Sequence, residues 1–154
     1  MALPSDGRYR LRYVPNPDEE LVGGLLATEL QGRDHPINAA PEGPGFQGRQ
    51  TWEVKRAGEG EVHIHYVPRG PEDDFGGIGF HYDEDRPHVP IIFSFVSKFS
   101  LEHINGNTWR IRPVGGWVGT DLVVGLSGDN TLLINPYPLD STSRPAWHFE
   151  LLLE

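Results

Sequence analysis

Eight residues near the start of the chain, GRYRLRYV at positions 7–14, put Tyr9, Leu11 and Tyr13 on one face and Arg8, Arg10 and Arg12 on the other. Such period-2 alternation marks a half-buried β-strand. It constrains the fold because it recurs. GEVHIHYV at 60–67 opens on Gly and alternates the same way, and GTDLVVGL at 119–126 also opens on Gly. A second pattern closes each block: Thr51-Trp52-Glu53-Val54, Thr108-Trp109-Arg110-Ile111 and Ala146-Trp147-His148-Phe149. Openings and closings alternate three times. Repeated supersecondary units of this kind bury their apolar faces only against one another. The pattern predicts an all-β fold, a β-trefoil of about twelve strands in three pseudo-repeats, with a six-stranded barrel capped by three hairpins. Residues 1–154 form a single domain in this reading. Closing the barrel removes the edge strands on which other chains would pair. Each of the three Trp residues is expected to fill an equivalent core site near the barrel bottom.

The rest of the chain agrees with short strands. Nineteen Gly and fourteen Pro interrupt it too often for long helices. Further strands are expected at 25–30, 37–40, 51–56, 79–82, 91–95, 100–104, 108–113, 122–126 and 131–135. The last strand places Trp147, Phe149, Leu151 and Leu153 on one face. Between the strands lie stretches such as VPNPDEELVGG (14–24), APEGPGFQGR (40–49) and VPRGPEDDFGGI (67–78). Pro fixes φ and lowers loop entropy, while Gly allows close backbone approach. Stiff loops on a rigid barrel are a usual vehicle for binding.

Several classes of function are excluded. The chain of 154 residues has no cysteine, so disulfide frameworks, Cys-zinc sites and thiol nucleophiles are ruled out. A formal charge of −9 argues against nucleic acid and anionic membranes as partners. No apolar run is long enough to span a bilayer as a helix. The opening MALPSD lacks a basic and an apolar region, so a cytoplasmic protein, or one released by an unconventional route, is expected. No cofactor, metal or catalytic residue is expected. His63 and His65 share a strand face that His81 or His103 would have to complete as a metal site. Asp83-Glu84-Asp85 lacks the Gly and distal Glu of a calcium loop, and no nucleophile elbow, phosphate loop or dinucleotide fingerprint is present. One functional reading open to such a chain is a carbohydrate-binding trefoil. Gln50-Thr51-Trp52 matches the Q-x-W triplet of ricin-type lectins, although Asn107-Thr108-Trp109 and Pro145-Ala146-Trp147 do not.

The order and spacing of several motifs resemble the mycocypin family of clitocypin-like fungal protease inhibitors. They are DGRYRLR at 6–12, Asn16-Pro17-Asp18 followed by Val22-Gly23-Gly24, Pro41 to Phe46, Trp52-x-Val54, GFHYDE at 79–84 and RPAWHF at 144–149. The resemblance spans nearly the whole chain. It implies a monomeric β-trefoil that reversibly blocks papain-like cysteine proteases such as papain and cathepsin L, with two loops wedged into the active-site cleft. Those loops would be residues 15–24, with Leu21, Val22, Gly23 and Gly24, and residues 41–49, with Pro41, Glu42, Gly43, Pro44, Gly45 and Phe46. The cleft is narrow, so Gly23-Gly24 suits it by offering bare backbone to the catalytic Cys. The resemblance further implies a second reactive loop after the fifth strand, carrying Asn toward legumain or a basic residue toward trypsin. No Asn lies between Val67 and Phe80, so legumain is not expected as a target. Arg69, between Pro68 and Gly70, is the candidate for a trypsin-like serine protease with an acidic pocket.

Overall fold

The computed structural model describes residues 3–17, 24–68, 77–115, 119–141 and 144–152. The strands are β1 (Gly7–Val14), β2 (Leu25–Thr28), β3 (Asn38–Pro41), β4 (Trp52–Gly58), β5 (Glu61–Tyr66), β6 (Ile78–His81), β7 (Ile92–Phe95), β8 (Phe99–Asn105), β9 (Thr108–Pro113), β10 (Thr120–Leu126), β11 (Leu132–Pro138) and β12 (Ala146–Leu151). A short 3-10 helix, Pro44–Arg49, lies between β3 and β4.

Antiparallel pairing runs β1-β4-β5-β8-β9-β12 and returns to β1, so six strands close into a barrel. Hairpin β2-β3 joins β1, hairpin β6-β7 joins β5, and β10-β11 pair as a separate ribbon. The three hairpins meet at an approximate three-fold axis. There Ile37 N donates to Ile91 O, Ile91 N to Leu132 O and Leu132 N to Ile37 O, each at 2.9 Å. A closed ring of main-chain bonds satisfies backbone groups that the hairpins would otherwise leave buried and unpaired. The fold is the β-trefoil expected from the repeats.

Alternation places the core. Leu11, Val54, Ile64, Leu101, Ile111 and Phe149, one from each barrel strand, are buried. They pair across the barrel wall as Leu11 with Phe149, Val54 with Ile64 and Leu101 with Ile111. Leu151 continues the β12 face but is half exposed, and Leu153 lies outside the described residues. The strand at 25–30 stops at Thr28, and β11 runs on to Pro138.

The third repeat is phased differently from the sequence expectation. Its opening strand is β9, not residues 119–126, which form β10 of the third hairpin. Register shows why. Trp52 pairs with Tyr9, Phe99 with Val62 and Trp147 with Trp109. The counterpart of Trp52 and Trp147 is therefore Phe99, and Trp109 corresponds to Tyr9 and Val62. Opening and closing strands contribute to the same apolar layer, so a Thr-Trp pair fits either one. Two of the three Trp residues do occupy equivalent sites. Trp52 and Trp147 are fully buried, and their Nε1 donate to Ala27 O (2.9 Å) and Val124 O (3.0 Å) in the hairpins of their own units. In the second unit Phe99 meets Phe80 edge-on at 6.1 Å.

Candidate functional site

The two loops singled out by sequence leave the same end of one hairpin. Residues 15–24 connect β1 to β2, and residues 42–49 follow β3. In the β2-β3 ladder Leu25 pairs with Pro41. The last residue of the first loop, Gly24, and the first of the second, Glu42, thus flank a single register pair. Loops far apart in the chain are anchored side by side because the antiparallel hairpin brings its two open-end residues opposite each other.

The first loop begins on a firm base. Val14 is buried, and the β1 strand beneath it pairs on both sides. At the other end a Cβ on Gly24 would meet no atom within 4 Å. Leu21, Val22 and Gly23 lie outside the described residues.

The second loop is held on two sides. Inside, the side chain of Gln50 is buried, and its Nε2 donates to Pro41 O (2.9 Å), Thr28 Oγ1 (3.1 Å) and Ala40 O (3.5 Å). Thr28 Oγ1 donates in turn to Leu26 O at 2.7 Å. Glu29 N donates to Arg49 O at 2.9 Å, so the loop's last carbonyl is tied as well. Outside, Glu42 faces Arg10 and Arg12 of β1 at 3.6 and 3.5 Å. Arg12 makes a two-pronged contact with Glu150 at 2.9 and 3.0 Å. That contact raises the Arg12 pKa and holds the Glu150 carboxyl below the usual carboxylate range. Pro41 and Gly45 are exposed and Gly43 is half-buried. The Pro44–Arg49 helix starts with Pro, which suits a first helical turn. The side chains of Pro44 and Phe46 lie outside the described set.

The loop after β5 is the positional counterpart of the first loop, since β5 corresponds to β1. Pro68 is exposed at its start, and Arg69 and Gly70 lie outside the described residues.

The rings of His63 and His65 lie 5.8 Å apart, and burial, with Lys55 and His63, lowers the His65 pKa. Among the described residues no group of three or more His, Asp or Glu side chains is placed to bind a metal. In Gln50-Thr51-Trp52 the side chains of Gln50 and Trp52 are both buried, so neither reaches a sugar at the surface. Gln50 instead builds the neck of the second loop, a role the triplet did not reveal. The Arg10-Arg12-Glu42 contact was equally hidden, since it joins residues whose proximity only the β1-β2-β3 pairing creates.

A closed six-stranded barrel capped by three hairpins defines a β-trefoil, here with two loops anchored side by side at the open end of one hairpin. Comparison with known proteins agrees. A family model described as peptidase inhibitor clitocypin matches residues 7–149. Clitocypin-2 of Clitocybe nebularis is 36% identical over 155 residues, covering 97% of this chain and 98% of that protein. Clitocypin of the same organism is 35% identical over 150 residues, covering 94% and 96%. Among solved structures, the Rhizoctonia solani agglutinin superposes with a TM-score of 0.68 at 15% identity, covering 99% of each chain. The designed three-fold symmetric protein ThreeFoil gives 0.63 at 14% identity, over 96% of this chain and 100% of that one. At such low identity these two likenesses speak to the fold alone. The chain belongs to the clitocypin family of peptidase inhibitors. It is a cysteine protease inhibitor rather than an enzyme, and its partners are papain-like cysteine proteases.

Proposed function

We propose that inhibition is reversible occlusion, in which loops 15–24 and 41–49 enter the protease cleft together. The observation that carries this reading is the Leu25–Pro41 pair, which anchors the two loops next to each other. Gly24 and Gly45 present backbone with open space around it, as entry into a narrow cleft requires. The two segments also carry the apolar residues Leu21, Val22, Pro41 and Phe46 in their sequence, and Gly23, Glu42, Gly43 and Pro44 complete them. A loop stiffened before binding loses little entropy on association. The inhibitor acts as a monomer in this reading, with no covalent step.

Gly24→Trp tests it. The new side chain points into open space, so the fold is spared while the wedge thickens. Titration of papain with this variant is expected to show inhibition weakened by at least about tenfold, the loss of one good interface contact. Full stoichiometric inhibition would mean that the first loop does not enter the cleft.

The proposal extends to Arg69 as the contact for a trypsin-like protease. Support comes from its basic side chain in a Pro- and Gly-rich loop whose counterpart in the first repeat is the first wedge.

A further inference from the structure

We infer that Gln50 is the positioning residue of the inhibitory surface, setting the shape of loop 41–49 before any protease arrives. The inference rests on the reading that this loop meets the protease. Three observations carry it.

First, Gln50 stands at the loop's exit while its amide holds the loop's entry. Nε2 donates to the carbonyls of Pro41 and Ala40, at 2.9 and 3.5 Å. One side chain therefore fixes the distance between the two ends of the loop. Second, the clamp is buried and tied to the fold. Gln50 is 1% exposed, and it also donates to Thr28 Oγ1 at 3.1 Å. The Thr28 hydroxyl in turn donates a hydrogen bond to Leu26 O. Pro41 O is then held through Gln50 to the β2 strand, whose Ala27 carbonyl accepts from the Trp52 indole. Third, the outer clamp is weak by comparison. Glu42 is 53% exposed and sits 3.5–3.6 Å from its arginines, so water and salt screen it. Of the two side-chain clamps on the loop's entry, Gln50 is thus the stronger, while the main-chain bond from Glu29 N to Arg49 O holds the exit.

Losing Gln50 would loosen the loop's entry and take the amide donor away from Pro41 O and Ala40 O. The loop would then have to be ordered on binding, which weakens association. It would also reach conformations that fit the protease as a substrate rather than as an obstruction.

The test compares Gln50→Leu with Gly45→Trp, each as the full chain. Leu keeps the bulk and removes the amide. Trp at position 45 thickens the loop tip, where an added Cβ meets no atom within 4 Å. Amide hydrogen exchange of the free inhibitor and papain inhibition are measured for both. Gln50→Leu is expected to speed exchange in residues 42–49 by on the order of tenfold, while β5, β8 and β9 stay protected. Inhibition is expected to weaken by a similar factor, and prolonged incubation with papain should cut the chain within 42–49. Uniformly faster exchange throughout the barrel would overturn the proposal and reduce Gln50 to a core residue. So would inhibition weakened by Gly45→Trp but unchanged by Gln50→Leu. If neither variant alters inhibition, the second loop does not meet the protease, and the reading beneath the proposal falls with it. Should Gln50→Leu fail to fold, Thr28→Val removes one acceptor of the clamp. The same local exchange pattern is then expected at smaller size, and its absence would refute the role.

Discussion

Gly79→Ala isolates the steric logic of the barrel from the inhibitory surface. Gly79 of β6 pairs with His65 of β5. A Cβ at position 79 would lie 2.0 Å from Ile64 O and 2.8 Å from His65 Cα, whereas real Cβ atoms essentially never come within 3.0 Å of such neighbours. Both neighbours are backbone, so no side chain can swing aside. Relief requires β6 to move about 1 Å away from β5, which breaks the His65–Gly79 pairing; overpacking of this kind costs roughly 1–3 kcal/mol. For a domain of about 150 residues each kcal/mol lowers Tm by about 2–4 °C, so a drop of about 2–12 °C is expected. The corresponding position in the first unit carries Leu26, paired with Arg12, so the glycine answers a local close approach rather than a demand of the repeat. The β6-β7 hairpin does not bear loops 15–24 or 41–49, and papain inhibition at 25 °C should be unchanged. Thermal unfolding followed by near-ultraviolet circular dichroism, with a papain titration alongside, measures both. A Tm within 1 °C of the parent chain would refute the packing argument.

Other outcomes follow from individual contacts. Trp147→Phe leaves Val124 O without its indole donor, so urea unfolding should show a loss of about 1–3 kcal/mol even though Phe99 fills the equivalent site of the second unit. Acid sensitivity should depend on Glu150. Its pKa is depressed by the bond from Arg12, so its contribution is present above the unfolded-state value near about 4.3 and is lost as pH falls through the lower folded value. Glu150→Gln should therefore lower Tm at pH 7 and shrink the fall in Tm between pH 7 and pH 3. Some of that fall should remain, because burial opposes ionisation of Glu102 and Asp121 but bonds from Arg110, Arg112 and Arg144 outweigh it, leaving both depressed. Arg69→Ala should abolish any trypsin inhibition without altering papain inhibition; equal trypsin inhibition by both chains would remove Arg69 as a contact residue.

The candidate loops were legible as sequence, and their arrangement was not. Loop composition at 14–24 and 40–49, and the family motifs within it, pointed to the segments of interest. What anchors them side by side is the pairing of Leu25 with Pro41, which no local pattern encodes. Gln50 was noticed for a triplet typical of lectins, yet its burial and its three acceptors assign it to the loop neck. A buried amide and a ligand-facing amide look the same in a sequence, because the difference lies in what surrounds them.

The same division runs through the fold. Alternation in residues 7–14, 61–66 and 146–151 determined which side chains face inward, since the two-residue period of a strand is local. Turn residues and the recurrence of like segments determined the class of architecture. The phase of the third repeat was decided only in three dimensions. Trp52, Phe99 and Trp147 are nearly evenly spaced along the chain, but the shared Thr-Trp signature drew attention to Trp109 instead. A layer that accepts an aromatic ring from either neighbouring strand cannot say which strand supplied it. Register across the barrel settles the matter, because Trp109 faces Trp147 across the β9-β12 pairing. Strand faces follow from local chemistry, whereas the partner each strand meets depends on closing the whole ring at once.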